Sequence, residues 1–565
     1  MRTLVILLAL VGCHGADIQD TADVLPPVEP LAIAIDAPQE GTFVLGDTVA
    51  ITGTAGGTGA TFSLDGAAFT PAAGVFSATA SRATAPWTDS PLWPILGEAR
   101  DAATWQRDRV TLLQGTSTPA AGLIPDALTF RMTNKLLADA RPALEAQMLG
   151  VDFSSALVTG APVADVGGTK VYVDRFDVAE TGIDTLAFTV PGLAWSAHMA
   201  GVEADLRLEI PFLGTQSGTI AVERVDVSGL VVVSADPSGA LVATPQGTNV
   251  QLTGLVVTGF SSSSLVDGII NALLTNTLKT QIESAMVDAV GGALGVQDSI
   301  RDLQLGGVLI HSDFTLAAHD ADGFTAYASS TVATVTGPLV ADRLSNPHPR
   351  PQPIGMLSPS EQEYGAALFL DDDLLSALGV GLLETGMLDQ EVSGDVGGVV
   401  LDTTVLAGII TPFDQLPAGL PVTLRTHGTV APPATPGVDP GEGARMHIGG
   451  VAVDFLIDVD QSGTPTPQLT AALDMILGVG GGDALLSLSV VDTRATVLSA
   501  KVQVDDPAEV ETRVAGLVGA LLPRALGGAL DAAVLDGVTV LDSGPAGPDG
   551  DRVGLYLALD ATLLP

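Results

Sequence analysis

Residue types able to do chemistry are present, but their spacing suits little of it. Gly259-Phe260-Ser261-Ser262-Ser263 sets serines after a glycine, yet it lacks the second glycine of a strained nucleophile turn. It reads as a loop before a helix, with Ser263 or Ser264 as cap. Asp458-Val459-Asp460-Gln461-Ser462-Gly463 opens like a calcium loop, but the twelfth position from Asp458 is Leu469, where a bidentate Glu is needed. A polar hairpin is expected there, and equally at His319-Asp320-Ala321-Asp322-Gly323. Residues 478–482 are followed by no Lys-Ser/Thr pair, so they form no phosphate loop. Asp371-Asp372-Asp373 precedes a helical stretch and reads as N-cap carboxylates. The seven histidines are scattered, with no pair spaced to share a metal on one helix. No catalytic set, metal or cofactor is expected, and the chain reads as a non-enzyme.

One thiol stands apart. Cys13 is the sole cysteine, so no internal disulfide can form. It follows Met1-Arg2-Thr3 and an apolar run from Leu4 to Val11, the order of a secretory signal. Leu10-Val11-Gly12-Cys13 matches the lipobox of bacterial lipoproteins, in which the thiol takes up a diacylglycerol. Residues 1–12 are therefore expected to be a signal peptide and Cys13 a lipid anchor. With no Asp behind it (His14 follows), the expected address is the outer membrane, facing periplasm or cell surface.

Composition narrows the partners. Lys+Arg number 23 against 65 Asp+Glu, a net charge of −42 that repels nucleic acid and anionic headgroups. Hydrophobic residues make up 46 % and aromatics only 4 %, so the core must be aliphatic. The 65 Gly and 36 Pro point to many turns and short strands.

The elements that must position any site follow from the pattern. Residues 13–30 read as an acidic tether. Residues 31–114 alternate in short strands and read as a small immunoglobulin-like β-sandwich. From about 124 a strand at 127–132 leads to a helix at 134–149, with Leu136, Leu137, Leu144 and Met148 on one side. Many strands follow, most clearly 202–210, where apolar and polar residues alternate without a break. A helix is expected at 265–290, where Ile269, Ile270, Leu273, Leu274, Leu278, Ile282 and Met286 make an apolar stripe. Residues 341–360 are a Pro-rich linker. The order then repeats: strand 366–370, helix 372–387 with Leu375 and Leu383, strands, a helix at 509–535 with Leu517 and Leu521, and a closing strand at 553–559. Residues 127–149 align with 366–388 without a gap, matching Ala127/Ala366, Phe130/Phe369, Leu136/Leu375, Leu144/Leu383 and Glu145/Glu384 among others. The expected class is α+β: a duplicated curved antiparallel sheet wrapped on a long helix, with halves at 124–340 and 361–565.

This order resembles the family of bactericidal/permeability-increasing protein, LPS-binding protein and cholesteryl ester transfer protein. The likeness rests on the linker from Asn346 to Pro353, on Tyr364-Gly365-Ala366 through Gly386-Met387-Leu388, and on Leu522-Pro523-Arg524 within the last helix. It implies a two-half boomerang with an apolar, acyl-holding pocket in each half, and a lipid-binding or lipid-transferring role. The helix residues named above are the candidate lining. The resemblance is incomplete in two places. No cysteine is present for the family's disulfide. Between Pro125 and Ile300 the lysines are only Lys135, Lys170 and Lys279. LPS recognition through its phosphates is therefore not expected, and a neutral or zwitterionic acyl lipid, a phospholipid or another, suits this chain better. The rival reading is a structural or adhesive surface protein in which side chains fill the same pockets; no protein partner can be named.

Overall fold

A computed structural model describes residues 30–559 apart from 86, 88, 103, 151–156, 167, 261–269, 271–278, 347, 351–354, 397–398, 438–442, 482–484, 531–537 and 548–549. The expected signal peptide, Cys13 and nearly all of the expected tether lie outside the described residues, as do Ile269, Leu273, Leu274, Leu278 and the side chain of Met148.

Residues 31–114 form a β-sandwich. One sheet holds Ala32–Ala37, Thr48–Gly56 and Val75–Ser81; the other runs Phe43–Val44, Trp105–Gln114, Leu92–Arg100, Thr61–Leu64, Ala67–Phe69. Alternation drives Ile33, Ile51, Phe62, Phe76, Trp93, Ile95 and Leu112 between the sheets. The sandwich is docked on the second half. Arg109 pairs with Asp474 at 2.5 Å with both side chains buried, Arg107 reaches Glu511 at 2.7 Å, and the Trp87 indole N–H donates to Asp492 at 2.7 Å. His447 is held between Ser90 Oγ at 2.9 Å and Thr435 Oγ1 at 2.8 Å. Burial lowers its pKa to about 3, so it sits there neutral.

Each half opens alike: strand Ile124–Thr133 runs into helix α1 (Asn134–Gly150), and strand Ala366–Asp371 into α4 (Asp372–Glu384). Between them lie α2 (Lys279–Ala293) and α3 (Val296–Arg301); after them come α5 (Thr403–Ile409) and α6 (Pro507–Leu530). The first half's curled sheet is built on two long paired strands, Gly192–Ile210 and Gly214–Ala235. The second half's sheet runs Glu391–Ser393, Val422–His427, Ala444–Ile457, Thr466–Gly480, Ser487–Ala500. Of the expected helix at 265–290, residues 279–290 lie in α2, which extends to Ala293, and nearly all of the rest falls outside the described residues; of the one expected at 509–535, residues 509–530 lie in α6, with Pro523 inside it, and 531–535 fall outside them.

A third sheet joins the halves. Its order is Asp302–Leu305, Val308–His319, Gly323–Thr334, Ile124–Thr133, Ala366–Asp371, Arg552–Leu559, Val538–Ala546. The two opening strands meet antiparallel at its centre, and the register carries the duplication. Thr129 pairs with Phe369. Replacing each by its aligned counterpart gives Leu368 and Phe130, which also pair. Leu128↔Leu370 becomes Ala367↔Arg131 in the same way. The gapless alignment of 127–149 with 366–388 is thus a local two-fold axis in the sheet. One part of the linker departs from expectation. Asp342–Ser345 is a strand, because its backbone finds a partner in Thr116–Pro119.

Candidate functional site

An apolar hollow lies inside the first half. Its helical walls follow the spacing of turns: Leu136, Ala140 and Leu144 with Leu137 on α1, and Met286, Val290 and Leu294 along and just past α2. Its sheet wall follows the spacing of pleats, Leu186 and Phe188 on one strand, with Leu193, Val233, Met132 and Phe324 from four others. Its cavity volume is about 30 Å³, so the space is a slit between side chains that a guest has to widen. Its walls are almost wholly apolar, so water gains little by entering. Two of its walls are methionines, whose unbranched side chains yield most easily to a guest.

α1 is held over this slit by polar contacts at its edge. Asn134 Oδ1 accepts the Phe188 N–H at 2.7 Å, and the Arg141 guanidinium donates to the Ile183 carbonyl. On the helix's outer face Lys135 pairs with Asp139, and Arg141 with Glu145.

Of the residues expected from sequence, Leu136, Leu137, Leu144 and Met286 line the hollow. Ile270 and Ile282 are buried in the same core without lining it. Leu375 and Leu383 sit on α4, which packs on the central sheet and on strand Ala434–Pro436. Leu517 and Leu521 pack, half-buried, against the main core. α5 and the turn after it bury Leu406, Ile410 and Phe413 in that core, where the Phe413 ring lies 5.4 Å from Phe455. Sequence periodicity missed Leu186, Phe188, Leu193 and Val233. Their alternation marks a buried face, but the strands alone do not say which helix covers it.

The Asp371-Asp372-Asp373 run sits at the joint between the halves. Asp371 caps α4 by accepting the Asp373 N–H, as expected. Asp371 also pairs with Arg552 at 2.9 Å, and Asp373 pairs with Arg343 at 2.8 Å. Asp372 meets His348 of the linker at 3.1 Å, and the other nitrogen of that ring lies 3.4 Å from Asp551. Burial pushes Asp371 up to about 6. Burial first, then the Asp371 charge, pushes Asp372 up to about 7. The two hairpin expectations hold. Asp458 accepts the Ser462 and Gly463 N–H groups, and Asp320 those of Asp322 and Gly323.

No sequence profile of a known protein family matches the chain, and no curated protein matches it in sequence. Among solved structures it is similar to lipopolysaccharide binding protein, with 13 % identity over 77 % of this chain and 99 % of that one, at a TM-score of 0.34. It is also similar to P47 of Clostridium botulinum E1, with 7 % identity over 78 % and 100 %, at a TM-score of 0.24.

Proposed function

We propose that the protein holds an acyl chain in the hollow between α1, α2 and the first curled sheet. The reading is one of binding without covalent catalysis. The observation that carries it is the lining itself: a narrow space walled by aliphatic, methionine and phenylalanine side chains. Such a wall offers no recognition to a polar guest and suits a hydrocarbon tail, which has nothing to hydrogen-bond. The net charge of −42 favours a neutral or zwitterionic lipid. In this reading Cys13 is lipidated and anchors the chain to the outer membrane. The sandwich serves as a docked immunoglobulin-like module; its edge strand Phe43–Val44, parallel beside Trp105–Gln114, suits that architecture. Shuttling of the lipid between membranes is a further step of the same proposal.

The test is extraction of lipid from the purified protein, followed by uptake of a fluorescent acyl probe by the stripped chain. Bound acyl lipid and saturable uptake, both lost in Leu137→Trp with the melting temperature little changed, are expected. A protein that carries no lipid and takes up no probe would instead be a structural or adhesive one.

A further inference from the structure

The two long strands of the first half, Gly192–Ile210 and Gly214–Ala235, are joined by Pro211-Phe212-Leu213. Leu193 and Val233, at one end of this pair, line the hollow, and the turn is the other end. The Leu213 N–H closes it on the Ile210 carbonyl at 3.2 Å. Pro211 takes the second place of the turn, where its fixed φ fits, and Phe212 the third, with φ at +67°. A turn of this kind asks for Gly or Asn in the third place, because a β-carbon is crowded there. Among the described residues the others with positive φ, glycines apart, are Asp65, Ala73, Asp126, Glu361 and Gln461, all polar or small.

The ring has nothing to pack on. Phe212 is 108 % exposed and Leu213 beside it 75 %. A strained backbone and an apolar ring in water are two costs that no contact within the described chain offsets. Charge around the turn is also unlike that elsewhere. Residues 210–222 carry none. The first charged positions on the adjoining strands are Glu209, paired with Arg207 at 3.3 Å, Lys170 opposite Glu209, and Asp165 opposite Lys170. Two acids and two bases cancel, in a chain whose net charge is −42.

We propose that this turn dips into the surface of a neutral or zwitterionic bilayer. A bilayer accepts a protruding apolar side chain without a shaped counterpart, and the affinity follows the apolar area buried. A stable protein partner needs roughly 800 Å² from each side, far more than two side chains on a narrow turn can give. The charge balance selects the bilayer: no excess of cations draws anionic headgroups to the turn, and the rest of the surface repels them. The contact does not depend on what the hollow holds.

The test labels the turn itself. In the full-length chain carrying Cys13→Ser, a polarity-sensitive fluorophore is coupled to Leu213→Cys, with Thr464→Cys, exposed on a hairpin of the second half, as the matched control. Phosphatidylcholine vesicles should blue-shift the fluorophore at 213, and brominated acyl chains should quench it, with no change at 464. The signal arises at the labelled site, so an apolar run elsewhere that holds the chain to a vesicle does not mimic it. Admixed phosphatidylglycerol should weaken the response. Phe212→Gly in the labelled chain should lower vesicle affinity about tenfold, since a buried Phe side chain is worth at least that much. Its urea midpoint should hold, because Gly fits the turn; a ring that served only the fold would lower the midpoint and leave the vesicle response alone. An equal response at both sites, none at either, or a response that grows with phosphatidylglycerol overturns the proposal. So does a shift at 213 that follows protein concentration without vesicles, which marks the turn as a contact between copies. Lipid in the hollow is assayed separately by extraction, so the two readings fail independently.

Discussion

α1 and α4 occupy matching places at the start of the two halves, and their surroundings are opposite. On α1 the buried positions among the described side chains are Leu136, Leu137, Ala140 and Leu144, and the other face carries Lys135, Asp139, Arg141 and Glu145. On α4 every residue from Asp372 to Leu382 is buried. Beyond its first turn α4 bears no charge until Glu384, so no face has reason to meet water. Two glycines let it approach its neighbours. A β-carbon on Gly379 would lie 2.0 Å from the Pro432 carbonyl oxygen, and one on Gly381 would lie 2.7 Å from Val308. The aligned positions in α1 are Ala140 and Pro142. The difference teaches that one strand–helix arrangement can serve two ends: the helix with a polar face sits at the rim and walls a slit, and the helix without one is the bolt between the halves.

The sharpest way to break this contrast is to exchange the paired residues. Gly379→Ala must move Pro432 or the helix and should cost about 3 kcal/mol, the upper end of overpacking. Ala140→Gly, the reverse change at the aligned position, should cost only about 1 kcal/mol, the helix-propensity difference. Urea midpoints of the two variants measure both. Similar losses would mean that α4 is not packed as tightly as described.

A second exchange uses an identical pair. Leu136 and Leu375 occupy the same place in the repeat, and both are buried. Leu375→Phe should cost about 1–3 kcal/mol, because its surroundings are filled. Leu136→Phe should cost less than about 1 kcal/mol, because the added atoms can enter the slit. It should also lower acyl-probe uptake, while Leu375→Phe should leave uptake intact in whatever fraction folds.

The joint's acidic cluster gives a pH test confined to α4. Burial raises the Asp372 carboxyl from its ordinary value near 3.8 to about 7. The folded state therefore binds this proton more tightly than the unfolded chain does. The resulting stability is full below about pH 3.8 and is lost as the pH climbs through 7. Asp372→Asn removes the titration, so its urea midpoint should exceed that of the unmodified protein at pH 8 and gain least at pH 4. A gain that does not change with pH would show that Asp372 is ionised throughout.

Much of this contrast could be read from the residues, and its limits are physical. The gapless match of 127–149 with 366–388 anticipated the two-fold pairing of Thr129 with Phe369, because strand register is set by the same side chains that mark the repeat. The stripe on α1 found four positions of which Leu136, Leu137 and Leu144 line the hollow. The stripe on α4 looked the same, yet Leu375 and Leu383 do not line it. Periodicity reports that a face is covered and is silent on what covers it. Gly379 and Gly381 were the available sign, since glycines inside a helix cost stability unless another backbone needs the room. His319 was legible only as a turn residue. Its contacts are with Val233, Phe188 and Phe324, and the first two are far from it in sequence.

The smallest expected effects come from Glu145 and Glu384, identical in the alignment and employed differently. Glu145 makes a 2.9 Å pair with Arg141 one turn away, with both side chains well exposed. Such a pair is worth at most about 0.5 kcal/mol and is screened by salt. Glu384 ends α4, where the helix dipole disfavours a carboxylate. It is kept there by another bond: its Oε1 accepts the N–H groups of both Val340 and Ala341 at 2.8 Å, fixing the start of the linker against the helix. Glu384→Ala should therefore cost about 1 kcal/mol, the usual net value of a hydrogen bond, and Glu384→Gln less, since the amide oxygen still accepts. Glu145→Ala should lie within about 0.5 kcal/mol of the unmodified protein and vanish in high salt. Urea midpoints at low and high salt separate the two. A loss at Glu384 that salt erases would make it one more surface charge, and the linker would need some other anchor.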